Sequence, residues 1–414
     1  MNPFEQKPRK IESTYESWHD LAPQAYDKYE TDPYTKTRII LMNGAEMEAV
    51  RFSHAFARAC PNNDVRRALA RMRRGEAQQQ KKIQALKPKD ENQLETTISY
   101  EQLAVDLTAI LAQRERNASI RNQLNFALLE DFDHLYRFSD LLEQDDGEMF
   151  DALIGHYTEI MPGRPTIAEH RHPDDDIRYP VDFHTADILS RLHVNIITAA
   201  EQQTMNFYMN VGSFYPTDQG RRLFNEIAMI EEQHVSGYES LADPDCSWLE
   251  NLLMHEYTEC YLYYSCYQDE THARVKRIWE SMFEIEVAHL HAAAELLKKY
   301  EGKHWQQVIP QGEFPTLLAF HENKKYIREV LQSVRLTAMK EGYCAVDDLP
   351  ANADFFRYQK AVCPEEAKVP SHSFMSLYIE KNGQDMRFEE KPHPIPELRR
   401  RDEDNADIAR KKNA

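Results

Sequence analysis

The chain has 414 residues, enough for two or three domains and more than one core. Its 50 Lys and Arg against 69 Asp and Glu leave a formal net charge of −19, the wrong sign for gripping nucleic acid phosphates or anionic lipid. Mean hydropathy is −0.70, no apolar run reaches the roughly 20 residues that span a bilayer, and the start Met1-Asn-Pro-Phe-Glu-Gln-Lys lacks the apolar core of a signal peptide. The expectation is a soluble, cytoplasmic protein with no nucleic acid and no membrane partner.

Residues 1–34 carry Pro3, Pro8, Pro23 and Pro33 in polar text and are expected to form an irregular N-terminal arm. From residue 35 to 145 apolar residues recur at helical spacing among strong helix formers, with breaks at Cys60-Pro61, Lys87-Pro88, Arg114 to Asn117 and Asp145 to Gly147. Residues 146–183 read as a linker, with Pro162, Gly163, Pro165, Pro173 and Pro180; His170 and His172 there are expected in a solvated loop. Helical text resumes over 184–301, broken at Phe214 to Asp218, Ala242 to Asp245 and Tyr267 to Glu270. One further helix is expected within 302–345, from Phe314 to Lys340, followed by an irregular, charge-mixed tail over 346–414. Glycine is scarce, 12 in 414, against about 7% in average proteins, which favours helices over tight hairpins. Cys60, Cys246, Cys260, Cys266, Cys344 and Cys363 form no Cys-x-x-Cys pair, so zinc ribbons and dithiol motifs are unsupported and buried free thiols are expected.

A shift of 155 residues aligns 36–143 with 184–300 without a gap: Phe52 falls on Phe207, Arg66-Arg67 on Arg221-Arg222, and Leu107 on Leu262. The buried-looking acidic positions follow: Glu46 on Glu201, Glu76 on Glu231, Glu101 on Glu256, Asp131 on Glu286, and His134 on His289. The fold class expected is therefore all-α, two tandem four-helix bundles from an internal duplication, with a C-terminal helix and tail.

The second copy reads Glu201, Glu231-x-x-His234, Glu256, Glu286-x-x-His289. Residues three apart share a helix face. A lone Glu-x-x-His is ordinarily a solvated face; the spacing argues otherwise. The turn at Pro216 lies 15 residues from both Glu201 and Glu231, and the turn at Thr271 lies 15 from both Glu256 and Glu286. At about 1.5 Å per residue, equal arms bring residues to one height on antiparallel helices. Two helices giving Glu and two giving Glu-x-x-His make the donor set of a dinuclear carboxylate site. Carboxylates in a dry core require cations or protons; two divalent ions with four carboxylates and two neutral imidazoles are neutral overall. These donors suit iron or manganese, with zinc also accommodated. Glu259, one turn from Glu256, is an alternate ligand. The first copy, Glu46, Glu76, Gln79, Glu101, Asp131 and His134, reads as a second or degenerate site, since Gln79 replaces His234 and Asp131 is a methylene shorter than Glu286.

On these ligands and spacings, residues 184–300 resemble the ferritin-like di-iron carboxylate superfamily, which includes rubrerythrins, ribonucleotide reductase small subunits and bacterial multicomponent monooxygenases. The resemblance implies two iron ions, an oxidase or oxygenase acting on a small-molecule substrate with O₂ or peroxide, and Glu201, Glu231, His234, Glu256, Glu286 and His289 as ligands. An electron-donor protein and a second copy of the chain, as a homodimer, are the partners left open. Iron handling without an organic substrate and a metal-free scaffold are the alternative functions. One departure stands out. Only 22 residues separate His234 from Glu256, too few for the superfamily's long crossover, so the bundle is expected to run up-down-up-down. The other pairing joins Glu101, Asp131 and His134 with Glu201, Glu231 and His234, using the 67 residues from His134 to Glu201 as a crossover; the last hairpin then pairs with the first. Tyr257, Tyr261, Tyr263, Tyr264 and Tyr267 are expected as core and interface filling, or as a redox-active or substrate-facing tyrosine. His193 and His255 are expected at the surface or behind the ligands.

Overall fold

The computed structural model describes residues 1–147, 151–365, 368–385, 390–399 and 402. Eight long helices dominate these: α1 (Pro33–Ala59), α2 (Asn63–Gln84), α3 (Gln93–Arg114), α4 (Ala118–Asp145), and, after the short α5 (Asp151–Ile154), α6 (Ile188–Phe214), α7 (Asp218–Glu239), α8 (Trp248–Asp269) and α9 (Ala273–Glu301). The C-terminal part adds α10 (Lys324–Val330), an antiparallel ribbon of β1 (Leu336–Met339) and β2 (Gly342–Ala345), α11 (Asp354–Val362) and α12 (Pro370–Asn382). No described helix is long and apolar enough to cross a membrane.

The 155-residue offset recurs in the helix starts. Asn62, Asn92 and Asn117 accept hydrogen bonds from the first-turn N–H groups of α2, α3 and α4, groups that have no partner within the helix. Thr217, Ser247 and His272, each 155 residues later, do the same for α7, α8 and α9. The first residues of α1 to α4 recur at that same offset in α6 to α9. Asn92 with Glu95, and Ser247 with Glu250, even repeat the reciprocal capping box.

The two compact units are not the two sequence copies. The first unit comprises Met1–Glu91, Val181–Gln203 and Ala242–Phe320; the second comprises Asn92–Pro180, Thr204–Leu241 and His321–Ala414. The expected division into bundles 35–145 and 184–301 is therefore corrected. In the first unit the α1–α2 hairpin packs on the α8–α9 hairpin, α1 against α8 and α2 against α9. In the second unit the α3–α4 hairpin packs with α7 through α4. Hairpins pair across copies because each keeps its short turn while the long 146–187 connection spans the exchange, and lengthening a loop costs little entropy.

Other expectations are corrected too. The segment read as a solvated linker is core: Thr158 to Arg171 are buried throughout. Its Arg164 bonds Glu130 Oε1 at 2.8 Å and the Phe126 carbonyl at 2.6 Å, which allows so polar a stretch to be buried. The helix expected over 314–340 shrinks to α10, preceded by irregular chain and followed by a short turn and strand β1; Gly342, with φ of 132° at the start of β2, needs a residue without Cβ. The tail contains α11 and α12; the charge-mixed end at 400–401 and 403–414 lies outside the described residues. All six cysteines are free thiols, but only Cys260 and Cys266 are buried.

A buried ion pair anchors the exchanged hairpins of the first unit. Glu270, which closes α8, accepts from Thr35 Oγ1 at 2.6 Å, Arg38 Nε at 3.0 Å and Trp279 Nε1 at 3.1 Å. Arg38 Nη1 also donates to Asp269 at 2.6 Å. Burial pushes the Glu270 carboxyl up, but Arg38 and these hydrogen bonds outweigh it and hold the group below the usual value of 4.5. Its contribution is present above that pH and is lost as pH falls through the lowered value. Arg38→Gln should cost about 3 kcal/mol in denaturant melts at neutral pH by leaving a buried charge uncompensated, and the difference from wild type should shrink on acidification below 4.5.

Candidate metal centres

Four helices of the first unit bring acidic groups to one place: Glu46 from α1, Glu76 and Gln79 from α2, Glu256 and Glu259 from α8, Glu286 and His289 from α9. None is more than 3% exposed. Two donor groups form there, each with ligand atoms within 4.8 Å of one another: Glu76, Glu256, Glu286 and His289; and Glu46, Glu76 and Glu259. Glu76 belongs to both. His289 turns its Nδ1 inward, 2.8 Å from Glu76 and 3.2 Å from Glu286. Gln79 donates to Glu286 at 2.6 Å, so the amide orients a carboxylate rather than serving as a donor atom. The Tyr263 hydroxyl donates to Glu46 Oε1. Neither oxygen of Glu259 has a hydrogen-bond partner among the described residues.

Burial pushes the carboxyls of Glu46, Glu256 and Glu259 well above the usual range, and neighbouring carboxylates add to it; Glu286 is raised for the same reasons. Glu76 is the exception. Burial raises it, but the His289 imidazolium beside it pulls it below 4.5. Desolvation pushes the half-buried His255 down to about 4, so it stays neutral, its Nε2 3.6 Å from Glu259. Five carboxylates facing one imidazole must hold protons or cations.

The second unit repeats the pattern around Glu231. Glu101, His134 and Glu231 form one group; Asp131, Glu231 and His234 sit together in another. Glu231 lies 2.9 Å from His134 Nδ1 and 3.1 Å from His234 Nδ1. Burial raises its carboxyl, but those two imidazoles bring it down to about 2. His234 Nδ1 is also 3.1 Å from Asp131, and its Nε2 is 2.6 Å from Glu130. Glu130 in turn is held by Arg164 at 2.8 Å and Arg171 at 3.2 Å. The Tyr208 hydroxyl donates to Glu101.

The residues predicted as one centre are thus divided. Glu256, Glu286 and His289 lie in the first unit with Glu46, Glu76 and Gln79. Glu231 and His234 lie in the second with Glu101, Asp131 and His134. Glu201, on α6, is buried. The first copy is therefore no separate degenerate site; its residues complete both clusters. Glu259, offered as a substitute ligand, is an additional donor, and its counterpart at the 155-residue offset is Ala104. His193 is buried, and His255, half-buried, stands behind the cluster with its Nε2 3.6 Å from Glu259. Tyr257 and Tyr261 donate to the carbonyls of Glu313 and Thr316, each at 2.8 Å, and serve as core; the Tyr263 hydroxyl donates to Glu46 in the cluster. Glu130 and Gly75 were missed. Nothing in the sequence separates Glu130 from its neighbour Asp131, and Gly75 matters only through α9.

Comparison with family models, with curated proteins and with solved structures returns no match.

A Cβ at Gly75 would lie 2.9 Å from His289 Nε2. Gly75→Val should displace the imidazole and destabilise the protein by about 2 kcal/mol, read as a lower denaturation midpoint at unchanged slope.

Proposed function

We propose that the chain is a non-haem dinuclear-metal oxidoreductase of the oxidase or oxygenase type, loaded with iron or manganese and acting with dioxygen or peroxide on a small substrate. The observation that supports this best is the shared carboxylate. In each unit one buried glutamate, Glu76 or Glu231, belongs to two donor groups at once, as a carboxylate bridging two ions requires. The donors fit such ions: carboxylate oxygens with imidazole nitrogen, buried, with Glu259 oxygens that accept no hydrogen bond among the described residues. Two bound ions would polarise dioxygen or peroxide and supply electrons to it.

The chain's own groups define what surrounds that chemistry. In the first unit Glu46, Glu76, Glu256, Glu259, Glu286 and His289 would be ligands, and Gln79 would fix the orientation of Glu286. In the second, Glu101, Asp131, His134, Glu231 and His234 would be ligands. There Glu130 fixes the His234 ring from behind, the arrangement that sets tautomer and basicity of a ligating imidazole. The Tyr263 and Tyr208 hydroxyls can hold or return a proton at Glu46 and Glu101. Burial excludes bulk water from both clusters. The protons that burial holds on Glu46, Glu256 and Glu259 must leave when cations enter.

Protein purified without oxygen from iron-supplied cells should carry about two ions in each unit, with a metal-to-ligand absorption appearing on exposure to oxygen. Glu76→Ala should empty the first unit and spare the second, and Glu231→Ala the reverse, by elemental analysis. Calorimetry in buffers of different ionisation enthalpy should show net proton release on loading. Metal-free protein from such cells, or full retention in Glu76→Ala and His289→Ala, would overturn the reading.

A further inference from the structure

A cavity of about 230 Å³ lies in the first unit, walled by the start of α6 and by the chain that follows α9. It shares no residue with the acidic clusters described above. Arg191 of α6 forms part of its wall and is only 5% exposed. Among the described residues the Arg191 side chain makes one hydrogen bond, from Nη1 to the Val308 carbonyl at 2.6 Å. Its Nε is buried and meets no acceptor. Burial lowers the pKa of the guanidinium, and the neighbouring Cys246, Glu250 and Asp243 offset this only in part.

A guanidinium stays charged and offers five N–H donors in a planar fork. Buried without a counter-charge, it is a costly group to keep. The nearby acids are committed elsewhere. Glu250 accepts from Lys303 Nζ on Oε1 and from the Ser247 N–H on Oε2, both at 2.9 Å. Asp243 accepts from the backbone N–H groups of Phe183 at 2.8 Å and Asp245 at 2.9 Å. The fork therefore calls for an anion from outside, and a planar carboxylate matches it in shape and charge.

The rest of the lining narrows the ligand. Asp187 and Glu313 are exposed carboxylates of the same cavity. A plain anion would be repelled by them, whereas an ammonium carried on the same molecule would be attracted. Phe183, Ile188, Val308 and Ile309 give the cavity an apolar side. Its volume is below the roughly 300–1,000 Å³ of pockets for drug-sized ligands, so the occupant is small. From this geometry we propose that the cavity binds a small α-amino acid with an apolar side chain. Arg191 takes the carboxylate, Asp187 and Glu313 draw the ammonium, and the apolar side receives the side chain.

The test irradiates the full chain with photo-leucine, the diazirine analogue of leucine, and maps the adducts by mass spectrometry. Adducts should fall within 183–191 and 307–313. Unlabelled leucine should compete about tenfold better than 4-methylpentanoate, which lacks the ammonium, and than isoamylamine, which lacks the carboxylate. Arg191→Gln should cut labelling of these segments about tenfold. Asp187→Asn combined with Glu313→Gln should erase the advantage of leucine over 4-methylpentanoate. The competition on the wild type stands even where the Arg191 variant fails to fold. Adducts confined to other segments, or none, overturn the proposal. So does competition by 4-methylpentanoate or isoamylamine that equals that of leucine, or labelling unchanged in a folded Arg191→Gln variant.

Discussion

Carboxylates buried between helices need opposite charge, and that requirement shapes both units. Removing an ionised group from water costs several kcal/mol unless it is paired, protonated or bound to a cation. The first unit sets five carboxylates against one imidazole, leaving a deficit that protons or metal must fill. The second balances Glu101, Asp131 and Glu231 with His134 and His234, and answers the extra carboxylate Glu130 with Arg164 and Arg171. The two units reach different electrostatic solutions with similar parts.

The exchange of hairpins makes that divergence intelligible. Gln79 and Asp131 look like two losses in one failing copy when read along the chain. In the fold they lie in different units. Gln79 orients Glu286 on α9, a helix of the other copy, and Glu259 supplies a donor where the second unit has Ala104. Asp131 shares His234 with Glu231 of α7.

The proline-rich middle and the C-terminal segments carry more than connection. Arg164 and Arg171 reach Glu130, and through it His234 of α7, from a stretch without long helices. Glu226, on that helix's outer side, joins His170 to Ser371 and so ties the middle segment to α12. Burial of such polar text is tolerated because its charges are paired.

The sequence by itself determined the helices and their ends, because side-chain caps, turn residues and apolar period are local: Asn62, Asn92 and Asn117, with Thr217, Ser247 and His272, mark starts that the fold keeps. It also marked Glu46, Glu76, Glu101, Asp131 and His134, with their counterparts 155 residues later, as interior positions, and all of them are buried. Which hairpin faces which was decided only in three dimensions. Equal arms around a turn fix the height of a residue on its own hairpin and leave the partner hairpin free, so both pairings fitted the spacing equally well. The same limit hid Glu130, Gly75 and the His170–Glu226–Ser371 contacts: each depends on a group that meets it from a distant segment, and no local pattern records such a meeting.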